Sequence, residues 1–136
     1  MTKEKIITKV KTLNLPKGSY VVFGSCPLAV VHIREANDID LLVSEEVFIK
    51  LREAGWQELH KSPHDIPLVH DVFEAHDNWN FSSYRPSPTL SQLLASAKVV
   101  DGIPFASLEE VRKWKVASHR PKDIVDIALI DAYLQK

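Results

Sequence analysis

The sequence predicts one α/β (α+β) domain, in which a mixed sheet is flanked by helices and further helices lie towards the C-terminal end. Short apolar runs with strand character alternate with segments whose apolar residues recur every three or four positions, as in amphipathic helices. The 136 residues are 45% hydrophobic and 26% charged, which suits one globular core and is too apolar for a disordered chain. No linker or repeat divides the chain, so we assign residues 1–136 to a single domain.

The first half of the chain alternates between predicted helices and strands. Ser44 begins one helix, because its hydroxyl can accept a hydrogen bond from the first turn, and Gly55 ends it. The elements before this helix are an amphipathic helix over 6–13, a strand at 20–23, a short helix at 27–33 and a strand at 38–43.

In the second half, two short patterns mark a turn and a helix start. Asp101-Gly102 between apolar flanks predicts a hairpin, and Ser107 with Glu110 forms the capping-box pattern that opens a helix. The other elements are strands at 56–59 and 68–74, a long polar loop over 75–88, and a last helix whose predicted buried side carries Ile124, Ile127, Ala128, Ile130 and Leu134.

Charge and cysteine content indicate which partners and which cellular compartment to expect. The formal net charge of −1 provides no overall positive field to attract nucleic acid or an anionic membrane. Cys26 is the single cysteine, so the chain forms no internal disulfide, which favours a reducing compartment. No apolar run approaches the roughly 20 residues that span a bilayer, and the first residues do not have the pattern of a signal peptide. We expect a cytoplasmic protein without a membrane partner.

Two carboxylates at alternate positions point to a metal ion. Side chains at i and i+2 of a strand project from the same face, so Asp38 and Asp40 are expected to lie side by side. Two unit charges about 4 Å apart repel by roughly 4 kcal/mol at an effective dielectric of about 20. A fold keeps such a pair when solvent screens it, when one group is protonated, or when a cation neutralises it. Mg²⁺ (or Mn²⁺) is the cation that paired carboxylates favour.

Asp71 is the predicted third carboxylate of this site. It lies in an apolar run that is expected to form a neighbouring strand, with its side chain on the same side as the pair. Three carboxylates on two strands suit a two-metal centre with ions about 3.5–4 Å apart, in which Asp71 accepts the proton of an attacking hydroxyl. The rival third ligands nearby are Glu74, Asp65 and Asp77.

Gly24-Ser25 follows the first buried strand, where the backbone of a glycine turn can approach a phosphate and the serine offers a hydroxyl. Gly24-Ser25 followed by Asp38-x-Asp40 resembles the signature of the nucleotidyltransferase superfamily, which includes DNA polymerase beta. The longer runs are similar to the small bacterial and archaeal branch with the nucleotidyltransferases of abortive-infection and toxin–antitoxin systems. These runs are 23–29, 32–34, 38–42, and Lys115 with 120–127.

The resemblance implies a minimal nucleotidyltransferase-like fold and an enzyme that uses Mg²⁺ to transfer a nucleoside monophosphate from a nucleoside triphosphate to a hydroxyl. It implies metal and catalytic roles for Asp38, Asp40 and Asp71, and places Lys115 against the phosphates. Arg34, just before the aspartate pair, is the second candidate cation for the nucleotide. The acceptor is left open between RNA, a protein and a small molecule, and the implied protein partner is a second copy of the chain or an antitoxin-like protein.

Several alternatives stay open at the level of sequence. The same fold can serve as a non-catalytic nucleotide-binding or toxin–antitoxin interaction module. A histidine followed by aspartate recurs every six residues at His64, His70 and His76, which admits a histidine-based metal hydrolase. Trp79 is either a core aromatic or a stacking partner for a nucleobase. Lys115 is equally consistent with a solvated helix lysine, and Arg120 with Asp123 is consistent with a structural ion pair.

Overall fold

Seven strands form one mixed sheet and six helices flank it, within residues 1–79, 84 and 86–135 that the computed structural model describes. The strands are β1 (Tyr20–Phe23), β2 (Ile39–Val43), β3 (Gln57–Glu58), β4 (Leu68–His70), β5 (Phe73–His76), β6 (Lys98–Val100) and β7 (Ile103–Phe105). The helices are α1 (Lys3–Thr12), α2 (Cys26–Val30), α3 (Glu45–Glu53), α4 (Leu90–Ser96), α5 (Leu108–Ser118) and α6 (Pro121–Leu134).

The order of strands across the sheet is β3-β4-β5-β2-β1-β7-β6. β2 is antiparallel to β1 and parallel to β5, and β7 is parallel to β1. The β3-β4-β5 and β6-β7 neighbours are antiparallel. This mixed sheet with flanking helices confirms the predicted fold class.

The two faces of the sheet carry different side chains because successive residues of a strand point to opposite sides. One face buries Ile39, Leu41 and Val43 of β2 in a cluster that includes side chains of α1 and α3. The opposite face packs Leu42 in a second cluster with Trp79, Trp114 and Ile130 among its members. Asp40 alternates onto this second face near the start of β2, where the apolar cover stops and a cleft opens.

Local signals in the sequence predicted several of these elements well. The strand at 20–23 is confirmed, and the hairpin across Asp101-Gly102 is confirmed as β6 and β7. The Ser44 hydroxyl accepts a hydrogen bond from the Val47 N–H at 3.2 Å, so the predicted cap of α3 is confirmed. α2 ends at Val30, three residues earlier than predicted.

The single strand predicted over 68–74 is wrong, because β4 and β5 form a hairpin. Asp71 lies in the tight turn between them with a left-handed φ of 53°, which aspartate tolerates better than most residues. The turn contains no glycine, so the sequence lacks the usual hairpin signal. β5 continues to His76 and shortens the predicted loop over 75–88, of which residues 80–83 and 85 lie outside the described residues.

Two helices differ from expectation. α4 was not predicted, although Thr89 and Gln92 form the capping box at its start. In α6 the predicted buried residues Ile124, Ala128 and Leu134 are exposed, while Asp123 and Asp126 are buried. Hydrophobic periodicity predicted the wrong buried face, because Arg34, Lys115 and the N-cap residue Arg120 pair with the two aspartates. Within the described part of the chain, no helix is long and apolar enough to cross a membrane.

Candidate active site

A cleft of about 300 Å³ opens where the second face of the sheet meets the C-terminal helices. Its floor is acidic, with side chains from β2, from the residue before it and from β5. Its wall is basic, with side chains from the α2–β2 connection, α5 and the start of α6. The floor residues used below are Asp38, Asp40, Glu74 and His76, and the wall residues are Arg34, Lys115, Arg120 and Lys122.

Strand register brings two carboxylates together on the floor. Asp40 of β2 pairs with Glu74 of β5 in a parallel ladder, so the two side chains lie beside each other on the same face. Asp40 is half-buried and Glu74 is only 8% exposed. Asp38 is exposed at the entrance to β2 and lines the same cleft. Asp38 and Asp40 thus line one cleft, although Asp38 precedes β2 instead of lying in it.

The floor has the chemistry of a cation site. Single ligand atoms of Asp40, Glu74 and His76 all lie within 4.8 Å of one another. Burial, reinforced by the charges of Asp38 and Glu74, raises the pKa of the Asp40 carboxyl well above its usual range. A cation in this space would favour the ionised carboxylates, so the donor set fits a divalent metal ion.

Lys61 supplies a positive charge to this floor. It lies in the loop between β3 and β4, which turns back through a bridge between Ser62 and Asp65, and its ammonium contacts Glu74 Oε1. Burial would lower the pKa of Lys61, but the hydrogen bond to Glu74 and the charges of Glu74 and Asp40 outweigh it and raise the pKa. Sequence reasoning missed this lysine because only the tertiary fold brings the loop to β5.

Asp71 does not join the floor. Its carboxylate is 45% exposed at the β4–β5 turn, where Lys9 Nζ donates a hydrogen bond to Oδ2 at 2.6 Å. It is absent from the lining of the cleft. The expectation that Asp71 lies on a strand beside the aspartate pair is therefore wrong, and Glu74, a rival in the sequence, occupies that position.

Gly24 allows the side chain of Asp40 to lie close to the backbone. Its φ is +68°, and a Cβ at this position would lie 2.2 Å from Asp40 Oδ2. The backbone turn was predicted to approach a phosphate, whereas its immediate neighbour in the structure is a carboxylate. Ser25 lines the cleft and its hydroxyl accepts a hydrogen bond from Arg34 Nη2 at 2.8 Å. The Gly-Ser turn thus positions both the acidic floor and the basic wall.

We expect Gly24→Ala to destabilise the protein more than Gly18→Ala does. Both substitutions place a side chain at positive φ, but a Cβ at Gly18 meets no atom within 4 Å. The clash with Asp40 adds an overpacking cost of about 1–3 kcal/mol. Urea unfolding of the two variants measures the difference, and equal losses would show that Asp40 does not press against this turn.

The wall is held by a buried ion network. Lys115 is 1% exposed, and its Nζ lies 2.9 Å from Asp126 Oδ2 and 3.5 Å from Asp123 Oδ1. Arg34 donates to both oxygens of Asp126 at 2.8 Å, and Arg120 donates to both oxygens of Asp123 at 2.7 and 3.0 Å. Three cations thus share two carboxylates and leave one positive charge in excess. Lys115 lines the cleft, and it is a buried, paired lysine rather than a solvated one.

Because of this network, the free energy of unfolding depends on pH in the acid range. Burial would raise the pKa of Asp123, but the hydrogen bonds from Arg120 and the charge of Lys115 outweigh it and lower the pKa to about 2. The unfolded chain, with an aspartate pKa near 3.9, binds the proton first, so this contribution is present above about pH 4 and is lost as the pH falls towards 2.

We therefore expect Asp123→Asn to be less stable than the wild type by about 2–3 kcal/mol near pH 5, and the two proteins to converge near pH 2. Chemical unfolding across that range measures the convergence. A stability difference that does not change with pH would contradict this role of Asp123.

The histidines do not form a cluster. His64 and His70 are exposed, and His76 is buried in the cleft. Burial is the main cause that lowers the pKa of His76 to about 4, so its ring is neutral near pH 7. Among the described residues, the one group that could hold a metal contains this single histidine, which does not support a histidine-based hydrolase. Trp79 is 2% exposed and packs on Phe23, so it is a core aromatic.

Comparison with known proteins places the fold. No family model matches the sequence, and no curated protein matches it. The crystal structure of ANT(2")-Ia in complex with adenylyl-2"-tobramycin aligns with a TM-score of 0.54 at 17% identity, covering 96% of this chain and 86% of that chain. The solution structure of the antibiotic-resistance factor ANT(2'')-Ia aligns with a TM-score of 0.50 at 16% identity, covering 96% and 81%. This chain shares the fold of ANT(2'')-Ia.

Proposed function

We propose that the protein is an enzyme that transfers a nucleoside monophosphate from a nucleoside triphosphate to a hydroxyl group. The observation that carries this proposal is the pairing of Asp40 with Glu74 on adjacent strands, opposite a basic wall in the same cleft. An acidic floor and a basic wall in one cleft suit a metal-bound triphosphate. The shared fold with ANT(2")-Ia supports the same reading.

The floor would hold the divalent metal, Mg²⁺ or Mn²⁺, through Asp38, Asp40 and Glu74. The bound metal would lower the pKa of the attacking hydroxyl and offset charge on the phosphates. Glu74, rather than Asp71, is the base in this proposal, because it borders Asp40 and lies in the cleft. The acceptor oxygen forms a bond to the α-phosphorus, the bond to the β-phosphate bridging oxygen breaks, and pyrophosphate leaves while the proton passes to Glu74.

The wall would bind the triphosphate. Arg34 and Arg120 are half-buried at the cleft, and Lys122 is exposed there without an ion-pair partner in the part of the chain that the structure describes. Lys115 adds positive potential from beneath, although its ammonium is already paired with two aspartates. Fixed cations stabilise the charge that builds on transferring phosphoryl groups. The Ser25 hydroxyl, held by Arg34, is a further donor to a phosphate oxygen.

For the acceptor we favour the hydroxyl of a small molecule. The ligand of the similar crystal structure is adenylyl-2"-tobramycin, a nucleotidylated small molecule. An RNA end or a protein hydroxyl, as in the toxin–antitoxin branch, is the other class of acceptor, and an antitoxin-like protein or a second copy of the chain is the corresponding partner. The cytoplasm would supply the nucleoside triphosphate and the metal ion.

The proposal is tested by acceptor-dependent release of pyrophosphate. The protein is incubated with each nucleoside triphosphate, Mg²⁺ or Mn²⁺, and in turn polyhydroxylated small molecules, RNA and protein from a cell extract. We expect release with one acceptor class, and its loss in Asp40→Asn. Nucleotide binding without any release would contradict the enzyme and favour a non-catalytic nucleotide-binding module on the same fold.

A further inference from the structure

We propose that the metal ion of this cleft is bound in part by nitrogen, through His76 Nε2 together with Asp40 and Glu74, and that Asp65 orients the histidine. The site would then select a transition-metal ion, with Mn²⁺ preferred over Mg²⁺. This inference rests on the proposed function, because it concerns the ion that assists nucleotidyl transfer. It goes beyond that function by naming a ligand, its orienting partner and the class of ion.

The strands place the three donors around one point. Glu74 and His76 are two residues apart on β5 and project from the same face, and Asp40 lies beside Glu74 on β2. Their ligand atoms lie within 4.8 Å of one another. Donors bound at about 2.1 Å to one ion are at most about 4.2 Å apart. The three ligand atoms are thus already near enough to draw together around one ion.

The two nitrogens of His76 face different carboxylates. Nε2 lies 3.8 Å from Glu74 Oε1, on the side of the carboxylate pair, and Nδ1 lies 3.7 Å from Asp65 Oδ1. Asp65 Oδ1 is buried and has no hydrogen bond within the described residues. A small approach would let Nδ1–H donate to it, which leaves the Nε2 lone pair directed at the ion. A carboxylate behind a ligating histidine is a common device for fixing the ring and its tautomer.

The contact of Lys61 with Glu74 shows that positive charge is favoured on this floor. Lys61 reaches the floor from a loop, and its side chain is 42% exposed, so the ammonium can withdraw towards solvent when an ion binds. His76, by contrast, is 5% exposed and is fixed by its strand. The histidine therefore stays at the site in either state.

The chemistry of the donor atoms determines which metal ion the site prefers. Mg²⁺ takes oxygen donors in a near-ideal octahedron and keeps several waters, whereas imidazole is a ligand of first-row transition-metal ions, of which Mn²⁺ is the weakest binder. A mixed set of two carboxylates and one imidazole accordingly disfavours Mg²⁺ relative to Mn²⁺. We expect at least a tenfold tighter binding of Mn²⁺ than of Mg²⁺ by the free protein.

Pulsed electron paramagnetic resonance of the Mn²⁺-loaded wild type tests the ligand directly. We expect a coupling from nitrogen, whose pattern changes when the protein is grown with histidine that carries the heavy nitrogen isotope. His64→Ala, which alters an exposed histidine beside Asp65, should keep the coupling, and His76→Gln should lose it. Asp65→Asn should keep the coupling and weaken Mn²⁺ binding by about 10–100-fold.

The outcomes separate this inference from the proposed function. Bound Mn²⁺ without nitrogen coupling in the wild type overturns the histidine ligand and leaves the nucleotidyl-transfer proposal intact. Equal affinity for Mg²⁺ and Mn²⁺, measured by calorimetry, overturns the selectivity. A wild type that binds neither ion, with or without a nucleoside triphosphate, overturns the proposed function and this inference together. The wild-type measurements do not depend on whether His76→Gln folds.

Discussion

Asp126→Asn is expected to lower the free energy of unfolding by about 3–5 kcal/mol, the usual cost of breaking a buried ion pair from one side. Asp126 is 2% exposed and accepts from Arg34 and Lys115 together. Burial would raise the pKa of Asp126, but these hydrogen bonds lower it, so the charged form belongs to the native state. Loss of the Asp126 charge leaves the buried Lys115 ammonium, among the described carboxylates, with the longer contact to Asp123.

Asp131→Asn is the matched control for this prediction. Asp131 lies on the same helix and also accepts two hydrogen bonds from an arginine, Arg112, but its side chain is 38% exposed and that of Arg112 is 41% exposed. Exposed pairs contribute about 0–1 kcal/mol. Denaturant unfolding of both variants at neutral pH gives the comparison. Equal losses in the two variants would mean that the buried network contributes no more than a surface pair.

Glu74→Gln is expected to reduce nucleotidyl transfer by at least about 100-fold, in the range of a lost general base. Asp71→Asn is expected to leave the rate within about twofold, because Asp71 is paired with Lys9 outside the cleft. Glutamine keeps the size of the side chain but neither accepts the proton nor offers a charged ligand. The measurement is pyrophosphate release under saturating nucleotide, with the melting temperature of each variant recorded.

The reverse result would restore the assignment made from the sequence. A large loss in Asp71→Asn with an active Glu74→Gln would require the β4–β5 turn to move its carboxylate onto the floor. Loss of activity in both variants, with both folded, would mean that a residue outside the cleft also affects the rate. That result would count against Glu74 as the sole base.

Much of the fold was predictable because its signals are local. The apolar run of β1, the hydroxyl cap of Ser44 and the Asp101-Gly102 turn each lie within a few residues of the element that they determine. The shared cleft of Asp38 and Asp40 was predictable for the same reason, since the two residues are two positions apart at the start of β2. Each of these signals depends on residues no more than a few positions apart, so it can be recognised without knowing the rest of the fold.

The third carboxylate was not predictable in this way. Choosing between Asp71 and Glu74 requires the position of a turn that has no glycine. Because β4 ends at His70, four residues before the end of the predicted strand, Asp71 falls in the turn and Glu74 falls on β5. The same alternation that was applied to the aspartate pair places Glu74 and His76 on one face once β5 is known to begin at Phe73.

Long-range ion pairs account for the remaining differences. α6 turns its aspartates inward because Arg34, 92 residues away in sequence, and Lys115 meet Asp126. Lys61 reaches Glu74 only through the fold of its loop. Hydrophobic periodicity within α6 gives no information about these distant cations, so it predicted an apolar buried face for the helix. Charged residues at helical spacing on a mainly apolar helix are the sequence feature that indicates such a network.

The position of the transferred phosphorus tests the central claim most directly. Two samples of the preferred nucleoside triphosphate, one radiolabelled at the α-phosphate and one at the γ-phosphate, are incubated with the protein, the metal ion and the acceptor found by pyrophosphate release. Nucleotidyl transfer predicts that the α-label becomes attached to the acceptor and the γ-label leaves as pyrophosphate, and that Asp40→Asn abolishes both. Attachment of the γ-label to the acceptor, or an active Asp40→Asn, would contradict the account.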